Sequence, residues 1–176
     1  MKITTETETI TNTEELTKQI VEKTTLHISK IEDEDLLILK GHLLIESTLR
    51  DYCKSKTINP NKFDQAKLSF IQILNLSQAF KGDLENEKWL WEALKNINTL
   101  RNQIAHQLEN QESLKSNKRK LFQSFNPRGL LEIDKDKASD LYLLKHIIVG
   151  TYASLAIELH LTNQIITNIF IEKMPN

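Results

Sequence analysis

The sequence predicts an all-α protein, a bundle of five to seven helices, on three observations. Only four Gly and three Pro occur in 176 residues, too few breakers for a β-sandwich or barrel, which needs a turn signal every ~8 to 12 residues. Apolar residues recur at i, i+3, i+4 and i+7 through most of the chain, the period of a buried helix face. Hydrophobic residues at 39% and charged residues at 27% are ordinary for a globular chain, and this length can bury a core without covalent staples. A single helical domain is expected over residues 13–176. A flexible tail is expected at 1–12, where Thr4, Thr5, Thr7, Thr9 and Thr11 stand among acids without apolar support.

Thr13 with Glu14 and Glu15 suits the cap of a first helix, whose weak apolar stripe is Leu16, Ile20, Leu26 and Ile28. Acidic Glu32 to Asp35 open the second, as the dipole at a helix N-terminus prefers. Leu36, Leu39, Leu43, Leu44 and Leu49 are assigned its buried face to about Lys56, which leaves His42, Glu46 and Arg50 on the opposite side at i,i+4 steps. Asn59-Pro60-Asn61 breaks it, because Pro disfavours helical geometry in the residue before it. A third helix is predicted from Lys62 to Phe80 on Phe63, Leu68, Ile71, Leu74 and Leu76, closed by Lys81-Gly82-Asp83.

Asn86 is read as the start of a fourth helix through Trp89, Leu90, Leu94 and Ile97. The pattern leaves open whether it runs straight into residues 101–106 or kinks near Asn96 to Asn98. Glu109 to Lys120 is polar enough for either a solvated helix or a loop, and Asn126-Pro127-Arg128-Gly129 reads as a turn. The last long helix, Lys135 to Ile171, is apolar on more than one face, so it either lies centrally or pairs with a second chain.

Several function classes fall away on composition. The one cysteine, Cys53, has neither a disulfide partner nor a zinc-ligand partner, and fits a reduced, cytoplasmic compartment. Residues 1–15 lack the basic and apolar regions of a secretory signal. No run approaches the ~18 apolar residues of a membrane span. With no Cys pair, no Gly-rich loop and no His-Glu-x-x-His, neither a metal nor another cofactor is expected. His27, His146 and His160 have no partners at ligand spacing and are read as non-catalytic. A formal net charge of −1 argues against coating nucleic acid by bulk attraction, though a site needs only a local positive field.

The run Arg101-Asn102-Gln103-Ile104-Ala105-His106 concentrates chemistry. A permanent cation, an amide and a titratable imidazole lie within six residues of a predicted helix. At about 100° per residue, Asn102 and His106 share a face, Arg101 sits on its edge, and Leu100 with Ile104 point to the other side. Together with Trp89-Leu90-Trp91-Glu92-Ala93-Leu94 and Ile97-Asn98-Thr99-Leu100, this string resembles the HEPN superfamily of small helical proteins. Its motif is an Arg, four to six intervening residues and a His, often with Asn, Asp or His directly after the Arg; here four residues intervene and Asn102 follows. Gly41 to Arg50 is similar to the superfamily's first core helix. Phe63-Asp64-Gln65-Ala66-Lys67-Leu68 is similar to a Phe-containing helix start in its mannitol-operon-repressor-like branch. The resemblance covers roughly residues 35–110.

That resemblance implies a homodimer and metal-independent cleavage of single-stranded RNA by attack of the RNA's own 2′-hydroxyl, as in a toxin or phage-defence effector. Arg101 would stabilise charge on the phosphorane, Asn102 would orient the phosphate or the His106 ring, and His106 would act as general acid or base. The stripe His42, Glu46, Arg50 could line the cleft, with Glu46 the expected supporting residue, placed to anchor Arg101 or His106. Lys115, Lys118, Arg119 and Lys120 would guide RNA, with Phe122 and Phe125 stacking on bases. Each has a plainer counterpart. An i,i+4 pair such as Glu46 and Arg50 is a common solvated pair, a basic run is usually solvated surface, and Phe122, Phe125, Trp89 and Trp91 suit a core. An antitoxin partner would go with the toxin; relatives in the mannitol-operon-repressor-like branch are regulatory, so a non-catalytic transcriptional or regulatory protein acting by binding a protein partner is the alternative.

Overall fold

The computed structural model describes residue 15 and residues 18–81, 88–106, 111–125 and 139–173, all in helices or the turns between them, with no strand among them. The helices are α1 (18–28), α2 (Glu34–Ser55), α3 (Pro60–Gln65), α4 (Phe70–Lys81), α5 (Lys88–Ala105), α6 (Gln111–Ser124) and α7 (Asp140–Lys173). The all-α bundle is therefore as the sequence predicts. The tail at 1–12, the Thr13 cap, the Gly82-Asp83 closure, the Asn86 start and the turn at 126–129 lie outside the described residues.

Helix α2 forms the centre, packed against α7, α4 and α5, while α5 packs against α6. Its start is capped as the acids suggested, with the Asp33 side chain accepting from Leu36 N at 2.7 Å and Glu34 and Asp35 in the first turn. Its buried face is only partly the predicted one. Leu49 is buried as expected, but Leu36 and Leu43 are 42% and 62% exposed, and Leu37, Ile38, Gly41, His42, Ile45, Tyr52 and Cys53 are buried alongside Leu49. Residues 36–45 are apolar almost all round, so counting leucines cannot choose a face. The partner chooses it: a Cβ on Gly41 would lie 2.7 Å from Ile148 Cγ2, so only glycine lets α7 come this close. Burying Ile or Leu is worth ~1.5–3 kcal/mol each, which fixes this rotation once α7 is seated.

The predicted third helix is two. Ala66 ends α3, Lys67 takes the left-handed conformation at φ 47°, and α4 starts anew at a reciprocal cap. Ser69 N donates to Gln72 Oε1 at 2.8 Å while Gln72 N donates to Ser69 Oγ at 3.4 Å, the capping-box arrangement.

Helix α5 runs unbroken from 88 to 105, so the segment through Asn96 to Asn98 continues as one helix into Arg101 and Asn102. Residues 111–124 form a helix, which settles the other alternative. Gln103 Nε2 donates to Ser113 Oγ and Asn96 Nδ2 to Ser124 Oγ, so α6 runs antiparallel to α5. Helix α7 buries Leu144, Ile147, Ile148, Val149, Leu155 and Leu159 against the same core, and so lies centrally over that stretch. No helix among the described residues is long and apolar enough to cross a membrane.

Candidate functional site: a cleft between α2 and α5

Two stripes of polar side chains face each other across an open cleft of about 270 Å³. Helix α2 supplies His42, Glu46 and Arg50 at i,i+4 steps, α5 supplies Asn98, Arg101 and Asn102, and Ser69, Phe70 and Ile71 at the start of α4 close one end. The stripe on the side of α2 opposite the predicted leucines is thus a cleft wall, and His42 is buried, with a relative exposure of 2%.

His42 and Asn98 are both polar residues set in apolar stripes. On α2 the buried sequence reads Ile38, His42, Ile45, Leu49; on α5 it reads Leu90, Leu94, Ile97, Asn98. A lone buried imidazole or amide is costly, and the two satisfy each other across 56 residues of chain at 3.0 Å, His42 Nε2 to Asn98 Oδ1. Because Oδ1 only accepts, Nε2 carries the hydrogen. Nδ1 of the neutral ring then has a lone pair, makes no hydrogen bond, and lies 3.7 Å from Glu46 Oε2. The ring packs on Phe70 with centroids 4.5 Å apart. Burial pushes the His42 imidazole below its ordinary value, the Asn98 bond and the Glu46 carboxylate pull it partly back, and the Arg101 cation pushes it down again.

The carboxylate expected to anchor Arg101 or His106 is engaged elsewhere. Glu46 Oε1 accepts from Arg50 Nε at 2.9 Å and from Arg50 Nη2, and Arg50 Nη2 also donates to Leu68 O at 2.7 Å. The Glu46 and Arg50 pair is therefore real, yet it lines the cleft instead of facing bulk solvent. Arg101 is half-buried. Among the described residues its guanidinium meets no carboxylate, and its hydrogen bond runs from Nη1 to Asn102 Oδ1 at 3.1 Å. With His42 neutral, the lining holds two guanidiniums against one carboxylate, a net charge of one positive unit.

The motif residues divide at this cleft. Arg101 and Asn102 line it, whereas His106 is exposed one residue past the end of α5 and is not among its lining residues. His106 N still accepts the helical register, donating to Asn102 O at 3.0 Å. Leu100 is fully buried and Ile104 packs against the core, as the periodicity required.

The basic run divides too. Lys115, Arg119 and Lys120 are exposed on α6, but Lys118 is turned inward, its ammonium 2.7 Å from Glu34 and 3.4 Å from Asp140. Its pKa is raised because those two carboxylates outweigh the burial that opposes them. Lys118 therefore ties α6 to the starts of α2 and α7 instead of facing RNA. Phe125 is buried and packs edge-on against Trp89 at 5.8 Å, and Phe122 packs on the core, so neither is a base-stacking platform. Cys53 is buried, with Sγ 3.1 Å from Ser77 Oγ; burial pushes its thiol up, which suits an inert residue. Among the described residues no group of three His, Cys, Asp or Glu side chains could hold a metal ion.

The sequence reading missed Asn98 and Ser69 and misplaced His42. Signals for all three exist: Asn98 and His42 each interrupt an apolar stripe, and Ser69-Phe70-Ile71-Gln72 has the capping-box spacing. Compared with known families, curated proteins and solved structures, the chain matches none of them.

Proposed function

We propose that this chain is a metal-independent endoribonuclease of the HEPN type that cleaves single-stranded RNA, working as a homodimer in the setting of a toxin or phage-defence effector. The observation that carries this reading is Arg101: a guanidinium free of carboxylates among the described residues, beside Asn102, in a cleft with a net positive lining. A phosphate bound there receives two parallel N–H bonds from the planar fork, and they strengthen as charge builds on the phosphorane oxygens. The 2′-oxygen attacks phosphorus, its proton passes to an imidazole base, and the 5′-oxygen leaves with a proton from an imidazolium acid. The products are a 2′,3′-cyclic phosphate and a 5′-hydroxyl. Base and acid act on opposite sides of phosphorus, so one His106 cannot serve both at once. A symmetric dimer supplies two, and the exposed position of His106 at the end of α5 suits a site completed by a second copy.

The test is incubation of the purified protein with labelled single-stranded RNA in excess chelator. Cleavage with cyclic phosphate ends is expected from the wild type, with loss of about 10²-fold or more in Arg101→Ala and His106→Ala. A folded dimer that leaves RNA intact would overturn the reading. One observation favours a second reading, a non-catalytic regulator that binds a protein partner: His106 stands outside the cleft that Arg101 lines. Such a protein keeps its function in His106→Ala.

A further inference from the structure

The two oxygens of Glu46 face different partners, and that division gives Arg50 a role beyond pairing. Oε1 is held by Arg50, while Oε2 lies 3.7 Å from the unpartnered, buried Nδ1 of His42. In the neutral ring, that atom offers a lone pair to a carboxylate oxygen, which is repulsive. Once Nδ1 carries a proton the same distance becomes an ion pair, and Glu46 has a second cation to satisfy. Arg50 stays at the cleft wall meanwhile, because its Nη2 also donates to the Leu68 carbonyl.

We propose that Arg50 is a second phosphate-binding guanidinium of this cleft, held in reserve by Glu46 and released to an anionic ligand when His42 takes up a proton. This rests on the reading of the cleft as a phosphodiester site, and deepens it by assigning a two-cation grip to Arg50 and Arg101. His42 acts here as a positioning residue through Glu46, since its Nδ1 is closed to solvent. The charged groups facing His42 are Glu46 and Arg50 on α2 and Arg101 on α5; the start of α4 contributes uncharged Ser69, Phe70 and Ile71, and α7 contributes nothing to the lining. In the free protein the buried ring stays neutral at pH 7. Protonation takes the lining from one net positive unit to two, and an anion bound beside Arg101 and Arg50 in turn stabilises the imidazolium, so binding and proton uptake favour each other.

The experiment measures binding of a 2′-O-methyl uridine tetramer, whose phosphodiester charge is constant between pH 5.5 and 7.5 and which has no free 2′-hydroxyl to be cleaved. Wild-type affinity is expected to rise about tenfold from pH 7.5 to pH 5.5, with the His42 ring signal in NMR titrating at higher pH when the probe is bound. Glu46→Gln frees Arg50 at every pH, so it is expected to bind at pH 7.5 as tightly as wild type does at pH 5.5 and to lose the slope. Arg50→Gln is expected to lose the acid-side gain, and so is His42→Gln, which ties the slope to His42 and not to the imidazole of the motif. A flat wild-type pH profile, or a Glu46→Gln variant that binds no more tightly at pH 7.5, overturns the proposal. The ribonuclease reading fails separately, on cleavage of unmodified RNA: a protein that binds the tetramer with the expected slope but cuts nothing keeps this inference and loses that one.

Discussion

Helices α2 and α5 wall the same cleft, yet one was readable in the sequence and the other was not. On α5 the predicted face, Leu90, Leu94, Ile97 and Leu100, is buried, and Asn102 and His106 are exposed. On α2 the predicted leucines Leu36 and Leu43 face outward, and the stripe on the side opposite to them holds the buried His42. The difference is one of contrast along the helix. Helix α5 separates apolar from polar residues, so its own sequence orients it. Helix α2 is apolar on most of its circumference between 36 and 45, and its rotation is decided by Gly41 meeting Ile148 on a helix about a hundred residues away. Periodicity reports an orientation only where it is one-sided.

The sharpest way to break this comparison is paired truncation on α2. Ile45→Ala, at a fully buried position, is expected to cost roughly 2–5 kcal/mol in urea unfolding, and Leu43→Ala no more than about 0.5 kcal/mol. Equal losses would restore the leucine face. On α5, Asn98→Ala leaves the buried Nε2–H of His42 without its acceptor and is expected to cost about 1–3 kcal/mol; Asn102→Ala, on the exposed side, is expected to leave stability nearly unchanged while weakening the cleft. Gly41→Ala gains about 1 kcal/mol of helix propensity but forces Ile148 to move, at about 1–3 kcal/mol. The expected net loss is about 1 kcal/mol, and combination with Ile148→Val should recover part of it in a double-mutant cycle. A stabilised Gly41→Ala would show that α7 does not set the rotation of α2.

The smallest effect is a pH slope. The folded His42 titrates below its ordinary 6.5 because of burial, so the unfolded chain takes the proton first. Stability is expected to be full above pH 6.5, to fall as pH drops through that value, and to level off below the folded one. Urea midpoints at pH 7.5 and 5.5 check this, and a His42→Leu/Asn98→Leu variant should lose that part of the decline. A slope identical in the double variant would assign it to other groups.

The bundle, the unbroken run of apolar positions on α5 and the motif at its end were legible because each is local, carried by residues three or four apart. The contacts that build the cleft were not, because its parts are not neighbours in sequence. His42 with Asn98 joins residues 56 apart, and Arg50 with Leu68 O joins residues 18 apart across the α3–α4 break. That break was itself hidden by apolar Phe63, Leu68 and Ile71, which fit one helix as readily as two. The fate of Lys118 was equally remote, fixed by acids at 34 and 140. In each case a polar side chain found its partner through the tertiary structure, which the spacing of residues along one helix does not record.

Ser69 occupies two structures at once. It begins α4 through its exchange with Gln72 and it forms part of the cleft wall. The residues that can start a helix this way are few, chiefly Ser, Thr, Asp and Asn, and an acid there would cancel the net positive charge of the lining among the described residues. A chain that keeps the lining positive is therefore confined to an uncharged subset there by two unrelated demands, and has more freedom at Ile71, which carries neither a cap nor a charge, than at the point where helix start and cleft wall share one hydroxyl.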